Sequence, residues 1–156
     1  MTVMKFIFSM ILSFMPGLVN LFWLPSGVGT EWYASLAKFP FTPEIHVFSF
    51  LWAAVHVLLG IGLFLVIKGD EETDNINKAV GLFLTDIVVS ASWPFILFKY
   101  QIIPLSTISA VALLLIAIFM QKTFTKENKI AGNIVLIYII WLSFSLYLNL
   151  GLLILN

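Results

Sequence analysis

Residues 130–154 read IAGNIVLIYIIWLSFSLYLNLGLLI, an apolar stretch without a charged side chain. A helix of about 20 mostly apolar residues crosses the hydrocarbon core of a bilayer, so this stretch predicts a transmembrane helix. Four other stretches meet the same criterion. The sequence therefore predicts an all-α polytopic membrane protein, a bundle of five transmembrane helices in one domain covering residues 1–156. We predict spans at about 3–24, 46–67, 77–98, 102–121 and 130–154.

The composition excludes an ordinary soluble domain. Hydrophobic residues make up 61% of the chain and charged residues 10%, whereas soluble domains carry about 25% charged residues. The mean hydropathy is +1.06, and a soluble fold of 156 residues has too little interior for so much apolar side chain. The net charge of zero gives no indication of a nucleic-acid partner. The absence of cysteine excludes disulfides and thiolate metal sites.

The loops and their lysines predict the orientation in the membrane. The longest connection, residues 25–45, contains three prolines and is expected to form a lid-like loop, and the connection 122–129 is basic. On this assignment six of the eight lysines lie on the N-terminal side of the membrane, and lysine-rich loops stay in the cytoplasm. We therefore expect an integral, multi-pass protein with a cytoplasmic N-terminus and its C-terminus on the opposite side.

Three spans carry polar and aromatic side chains along one face. Residues three, four or seven positions apart share a face of a helix. Unpaired polar atoms are costly in hydrocarbon, so these stripes should face the interior of the bundle. The stripes are Ser49, Trp52, His56, Gly60 and Leu63 in the second span, Asp86, Ser90, Trp93 and Leu97 in the third, and Tyr138, Trp141, Ser145, Leu148 and Asn149 in the fifth.

The stripes have two interpretations. A cavity lined by tryptophan and tyrosine suits a flat, mostly apolar ligand with a few polar groups. The stripes could instead pack the helices together, because Ser, Gly, Asn and His are common between membrane helices. In the second span, Gly60-Ile61-Gly62 is interpreted as a place of close helix approach rather than a nucleotide-binding loop.

Asp86 and His56 are the titratable candidates inside the predicted bundle. A carboxyl group near the middle of a span costs roughly 2.5–3.5 kcal/mol on insertion scales, which makes Asp86 a candidate functional residue. Asp86 could pair with His56, contact a ligand, or be protonated in a hydrogen bond between helices. His56 could ligate a metal or haem, but a structural hydrogen bond is favoured, so we predict no metal and no cofactor. No catalytic motif is present, and we predict no catalytic residue.

Four motifs in order give the chain a family resemblance. Residues 32–44 read WYASLAKFPFTPE, which is similar to the loop pattern W-Y-x-x-L-x-K-P-x-W-x-P-P. With the residues of the three stripes, this loop resembles the TspO/translocator protein family, also called tryptophan-rich sensory proteins or the peripheral-type benzodiazepine receptor family. The resemblance covers about residues 17–156. It rests on Trp52, His56 and Gly60, on Asp86, Ser90, Trp93 and Phe98, and on Tyr138, Trp141, Phe144, Ser145, Leu148 and Asn149.

The resemblance implies a five-helix bundle, commonly a homodimer in the lipid bilayer, with a ligand pocket beneath the first loop. Family ligands include porphyrins, sterols and synthetic aromatic drugs. Carried over by position, the ligand-binding residues are Trp32, Tyr33, Trp52, His56, Asp86, Ser90, Trp93, Trp141 and Ser145.

Departures from the family pattern affect the expected ligand. Phe41 stands in place of the loop tryptophan, His56 in place of a tyrosine, and Asp86 and Ser90 in place of two amides. No basic residue follows Lys129, so the sterol-associated pattern of some relatives is absent and a sterol is not favoured.

The resemblance leaves three functions open. The first is a membrane receptor or transporter-like protein that binds a hydrophobic aromatic ligand, a tetrapyrrole such as a porphyrin, inside the bundle. The second is an enzyme that degrades porphyrin with light, which nothing in the residue spacing requires. The third is a sensory or scaffold protein that acts through a partner.

Overall fold

Five long helices lie in the part of the chain that the structure describes, as predicted, and each is long and apolar enough to cross a membrane. The computed structural model describes residues 2–23, 30–69 and 73–156, so part of the predicted lid-like loop, residues 25–29, lies outside the described residues. A short helix, α2, lies in that loop, and a π-helical turn at Phe95–Lys99 extends α4. The helices are α1 (Thr2–Trp23), α2 (Thr30–Ser35), α3 (Ile45–Ile67), α4 (Asp74–Pro94), α5 (Ile103–Glu127) and α6 (Lys129–Leu155).

The long helices form a ring in which each packs mainly against two neighbours. The order around the ring is α1, α3, α6, α5 and α4, which closes again on α1. The buried core between the helices includes Leu63, Phe83, Met120 and Tyr138, while large apolar side chains on every long helix point outward and are exposed. Such an apolar outer surface is suited to lipid rather than water.

Glycine allows α1 and α3 to approach closely. A Cβ atom on Gly60 would lie 2.6 Å from the Met10 sulfur and 3.3 Å from the Met10 Cα atom. The Ser13 hydroxyl on α1 also donates a hydrogen bond to the His56 carbonyl oxygen of α3, at 2.5 Å. The interpretation of Gly60 as a place of close helix approach is therefore confirmed.

A single residue connects α5 and α6, and the predicted basic connection over 122–129 was wrong. The α5 helix continues to Glu127, because lysines are tolerated and even favourable in the last turns of a helix. Asn128 then reverses the chain: its side-chain oxygen accepts hydrogen bonds from the backbone N–H groups of Ile130 and Ala131, at 2.9 and 3.1 Å. This tight turn places α6, with its polar stripe, directly beside α5.

Candidate functional site

Phe48 lies among three tryptophans from three different helices. The distances between ring centroids are 5.3 Å from Phe48 to Trp141 on α6, 6.2 Å to Trp93 on α4 and 6.3 Å to Trp52 on its own helix, α3. Trp52 and Trp141 also meet edge to face, at 6.0 Å. We call these four residues the aromatic cluster. It places three of the predicted ligand-binding residues around one apolar side chain.

Four predicted site residues carry buried polar atoms without a hydrogen-bond partner. They are the indole nitrogens of Trp52 and Trp141, the Nδ1 atom of His56 and the hydroxyl of Ser145. The His56 ring lies 5.6 Å from the Trp52 ring, and Ser145 follows Trp141 by one helical turn. An unpaired buried polar group costs about 1–3 kcal/mol, so several on adjoining walls indicate a place where a ligand or water supplies the missing partners.

Asp86 pairs with Tyr138 and not with His56. Asp86 is 2% exposed on α4, and its two carboxyl oxygens accept from the Tyr138 hydroxyl of α6, at 3.1 and 3.2 Å. The expected burial of Asp86 is confirmed, whereas the suggested pairing with His56 was wrong because Tyr138 projects from the facing helix. This pair is an interhelical hydrogen bond, one of the alternatives that the sequence left open.

Asn149 connects three helices next to Trp93 of the aromatic cluster. Its side-chain oxygen accepts hydrogen bonds from the Trp93 indole nitrogen of α4, at 3.3 Å, and from the Ser106 hydroxyl of α5, at 3.1 Å. Its side-chain nitrogen donates to the Ser145 carbonyl oxygen, at 2.9 Å. The Trp93 indole is thus fixed by the fold, unlike the indoles of Trp52 and Trp141.

Trp32 and Tyr33 approach the bundle from the loop. Both lie on α2 and pack against a second buried cluster of Trp93, Leu97 and Leu152. The Tyr33 ring meets the Phe98 ring at 5.4 Å. We call residues 30–44 the lid, because they cover this end of the bundle.

The lid is attached at three points to α6 and to Asn156, the residue that follows it. The side-chain amide of Asn156 accepts from the Ala37 N–H and donates to the Ala37 carbonyl oxygen, both at 3.0 Å. The Tyr147 hydroxyl donates to the Pro40 carbonyl oxygen, at 3.2 Å. Phe39 lies against Gly151, where a Cβ atom would come within 2.6 Å of its ring. These contacts attach the lid to this end of the bundle.

Two cavities adjoin the lid, and we call the one lined mainly by bundle residues the inner cavity and the one lined mainly by lid residues the outer groove. The inner cavity has a volume of about 20 Å³, room for about one water molecule. The outer groove has a volume of about 340 Å³, within the range of ligand pockets. The inner cavity is lined by Tyr33, Pro43, Ile45, Phe48, Trp93, Leu97, Phe98, Leu148, Asn149 and Leu152, and the groove by Tyr33, Ala34, Lys38, Thr42, Pro43, Glu44, Ile45 and His46.

Lys38 is the cation of the groove. Its ammonium group donates to the carbonyl oxygens of Leu36, at 2.8 Å, and Ala34, at 3.3 Å, and lies 4.7 Å from the centroid of the Tyr33 ring. Partial burial lowers the pKa of Lys38, because the ammonium loses hydration, and burial raises the pKa of Tyr33.

The structure unites most of the nine predicted site residues but not all of them. Trp52, His56, Trp93, Trp141 and Ser145 adjoin the aromatic cluster, and Tyr33 and Trp93 line the inner cavity. Trp32 contacts the site from the lid, while Asp86 and Ser90 are buried on α4, with Asp86 turned to Tyr138.

Sequence reasoning missed Phe48 and the bridging role of Asn149. Phe48 precedes Trp52 by four positions, a spacing that places both on one face of α3, whereas Ser49, which was assigned to that face, is exposed. Within the described residues, no three His, Asp or Glu side chains are grouped closely enough to hold a metal ion.

Comparison with known proteins gives a consistent family match. A sequence model of the TspO/MBR family matches residues 7–155. The chain is 27% identical over 156 residues to the tryptophan-rich protein TspO of Archaeoglobus fulgidus, covering 100% of this chain and 99% of the relative. It is 25% identical over 125 residues to the tryptophan-rich protein TspO of Chlorobaculum tepidum, with 80% and 79% covered. It is 26% identical over 126 residues to the translocator protein of Homo sapiens, with 79% and 73% covered.

Proposed function

Because the chain belongs to the TspO/MBR family, we propose that it is a receptor or transporter-like membrane protein that binds a hydrophobic aromatic ligand inside its helix bundle. The observation that carries this proposal is the set of unpaired buried polar atoms on Trp52, His56, Trp141 and Ser145. A bundle interior that only packed helices together would be expected to pair these atoms.

The chemistry of these walls favours a tetrapyrrole. A porphyrin is flat and mostly apolar, so its faces suit the indole rings of Trp52 and Trp141, and its ring nitrogens are polar partners for the unpaired atoms. The indole nitrogens can only donate, whereas the Ser145 hydroxyl can donate and accept. This mixture suits a ligand that carries both kinds of polar atom.

Binding of so large a ligand requires the site to open. The inner cavity has room for about one water molecule, so Phe48 and the lid must move aside. Three described hydrogen bonds join the lid to Tyr147 and Asn156, few enough to break and re-form during binding.

The proposal also covers the ligand-contacting residues, the orientation in the membrane and the oligomeric state. All nine residues carried over by position are proposed to contact or shape the ligand site. The N-terminus is proposed to be cytoplasmic, on the side of most lysines. A homodimer in the bilayer is also proposed, as the family resemblance implies.

Equilibrium binding of a metal-free porphyrin tests this function. The protein is reconstituted in lipid nanodiscs and titrated while the porphyrin absorption band is followed, with empty nanodiscs as control. Saturable binding with a micromolar dissociation constant, roughly −8 kcal/mol, supports the proposal. Uptake that rises in proportion to lipid and equals that of empty nanodiscs contradicts it. Using a metal-free porphyrin excludes binding through an axial bond from His56.

A further inference from the structure

We propose that the outer groove of the lid binds the anionic end of the ligand, with Lys38 as the cation that receives a carboxylate. This inference rests on the proposed function and names a ligand class for it: a flat apolar molecule bearing a carboxylate. It assigns to Lys38 a role that neither the stripes nor the positional resemblance gave it.

The size and lining of the groove suit an amphipathic ligand. Its volume of about 340 Å³ contrasts with about 20 Å³ in the inner cavity. Tyr33, Pro43 and Ile45 provide apolar walls, and Lys38 and Thr42 provide polar atoms. Ligand sites commonly combine such apolar walls with a few polar groups that fix orientation.

The Lys38 ammonium is held in place with one donor left over. An ammonium group has three N–H donors, and backbone carbonyl oxygens of Leu36 and Ala34 accept two of them. The Tyr33 ring beneath the ammonium restricts its position further. Within the described residues no carboxylate pairs with Lys38. Glu44, which also lines the groove, lies 3.4 Å from His46 instead. The cation is therefore ordered, but its charge is not neutralised.

The groove and the inner cavity share a wall. Tyr33, Pro43 and Ile45 line both spaces, so a ligand whose apolar body enters the bundle past these residues can leave its charged end in the groove. The carboxylate of the ligand would then stay outside the hydrocarbon region, where burying an unpaired charge is strongly unfavourable.

The charge of Glu44 should affect anion binding in the opposite direction from that of Lys38. Its carboxylate also lines the groove and would repel an anion, although its side chain and that of His46 are each 80% exposed, so the repulsion is screened. Removing the Glu44 charge should therefore strengthen binding of an anion modestly, while removing the Lys38 charge weakens it.

Paired ligands and charge variants test the proposal. A dicarboxylic free-base porphyrin and its dimethyl ester are titrated into nanodisc-embedded wild type, Lys38→Gln, Lys38→Arg, Glu44→Gln and Lys99→Gln. Lys99 is the matched control, a lysine at the end of the π-helical turn near Phe95 and Tyr100. The ester is the control for distortion of the lid, because a distorted lid would change the affinity for the acid and for the ester alike.

The proposal predicts that Lys38→Gln weakens the acid roughly three- to tenfold and leaves the ester unchanged. Lys38→Arg should keep most of the acid's affinity, Glu44→Gln should raise it roughly twofold, and Lys99→Gln should have no effect. Equal affinities for acid and ester in wild type, or a preference for the acid that survives Lys38→Gln, would overturn this inference alone. Absence of saturable binding by both porphyrins would overturn the proposed function as well.

Discussion

The Tyr138 hydroxyl on α6 donates a hydrogen bond to the Asp86 carboxyl group on α4, at 3.1 and 3.2 Å from its two oxygens. Both side chains are buried, and the Tyr138 ring also lies 6.4 Å from the Trp52 ring of α3. This contact joins two helices that are not neighbours in the ring. It therefore ties α4 to α6 next to Trp52, a member of the aromatic cluster.

Removing the Tyr138 hydroxyl should destabilise the bundle. In Tyr138→Phe, Asp86 stays buried without its partner, which costs about 1–3 kcal/mol. Asp86→Asn keeps an acceptor for the hydroxyl and should cost less. Thermal unfolding of the detergent-solubilised protein measures both, with Tyr100→Phe, at an exposed tyrosine, as the control. A Tyr138→Phe protein as stable as Tyr100→Phe would contradict the structural importance of this pair.

The unpaired Ser145 hydroxyl should reduce the stability of the unliganded protein. Ser145→Ala removes a buried group without a partner, so the free energy of unfolding should stay equal or rise by about 1 kcal/mol. Ser143→Ala is the matched control on the same helix, because Ser143 is exposed and bonded to the Ile139 carbonyl oxygen. Loss of stability in Ser145→Ala alone would mean that this hydroxyl already has a partner in the unliganded protein.

A methyl group at Gly151 should loosen the lid. In Gly151→Ala the new Cβ atom would lie 2.6–3.0 Å from Phe39 atoms, so Phe39 must move away from α6. Faster hydrogen exchange of the backbone amides in residues 37–42 is expected. Gly81→Ala is the control, since a Cβ atom there meets nothing within 4 Å. Unchanged exchange in Gly151→Ala would show that the lid does not depend on this contact.

Truncating Phe48 should open the aromatic cluster. Phe48→Ala removes the ring that lies among Trp52, Trp93 and Trp141, and should lower stability by less than the ~3–5 kcal/mol of a fully buried Phe, because Phe48 is only partly buried. If Phe48 occupies space that the ligand takes, the variant should bind porphyrin faster and at least as tightly as wild type. Phe50→Ala, at a side chain 72% exposed on the same helix, provides the comparison. Slower and weaker binding by Phe48→Ala would instead make Phe48 a wall of the ligand site.

The sequence determined the helices and their inward faces well, because apolar length and helical periodicity are local properties. Asp86, Trp93, Tyr138 and Ser145 are buried or inward-facing as their spacing predicted. The partner of Asp86 was not predictable, since Tyr138 and His56 both lie on inward faces and only the ring order of helices decides between them.

Contacts between distant parts of the chain also lay beyond sequence reasoning. The hydrogen bonds between Ala37 and Asn156 join residues 119 positions apart and follow no periodic pattern. The continuation of α5 to Glu127 was missed for a different reason: its lysines are typical of a loop and equally of a helix C-terminus.

The proposed function places an aromatic ligand at the unpaired polar atoms beside Phe48. The most direct measurement is the equilibrium dissociation constant of a metal-free porphyrin for nanodisc-embedded wild type, Trp52→Phe and Trp141→Phe, with lipid-facing Phe119→Leu as control. Each tryptophan variant keeps an aromatic ring but loses its N–H group, and should bind roughly two- to tenfold more weakly. Equal affinity in all four proteins would contradict this proposal, because the ligand would then bind elsewhere.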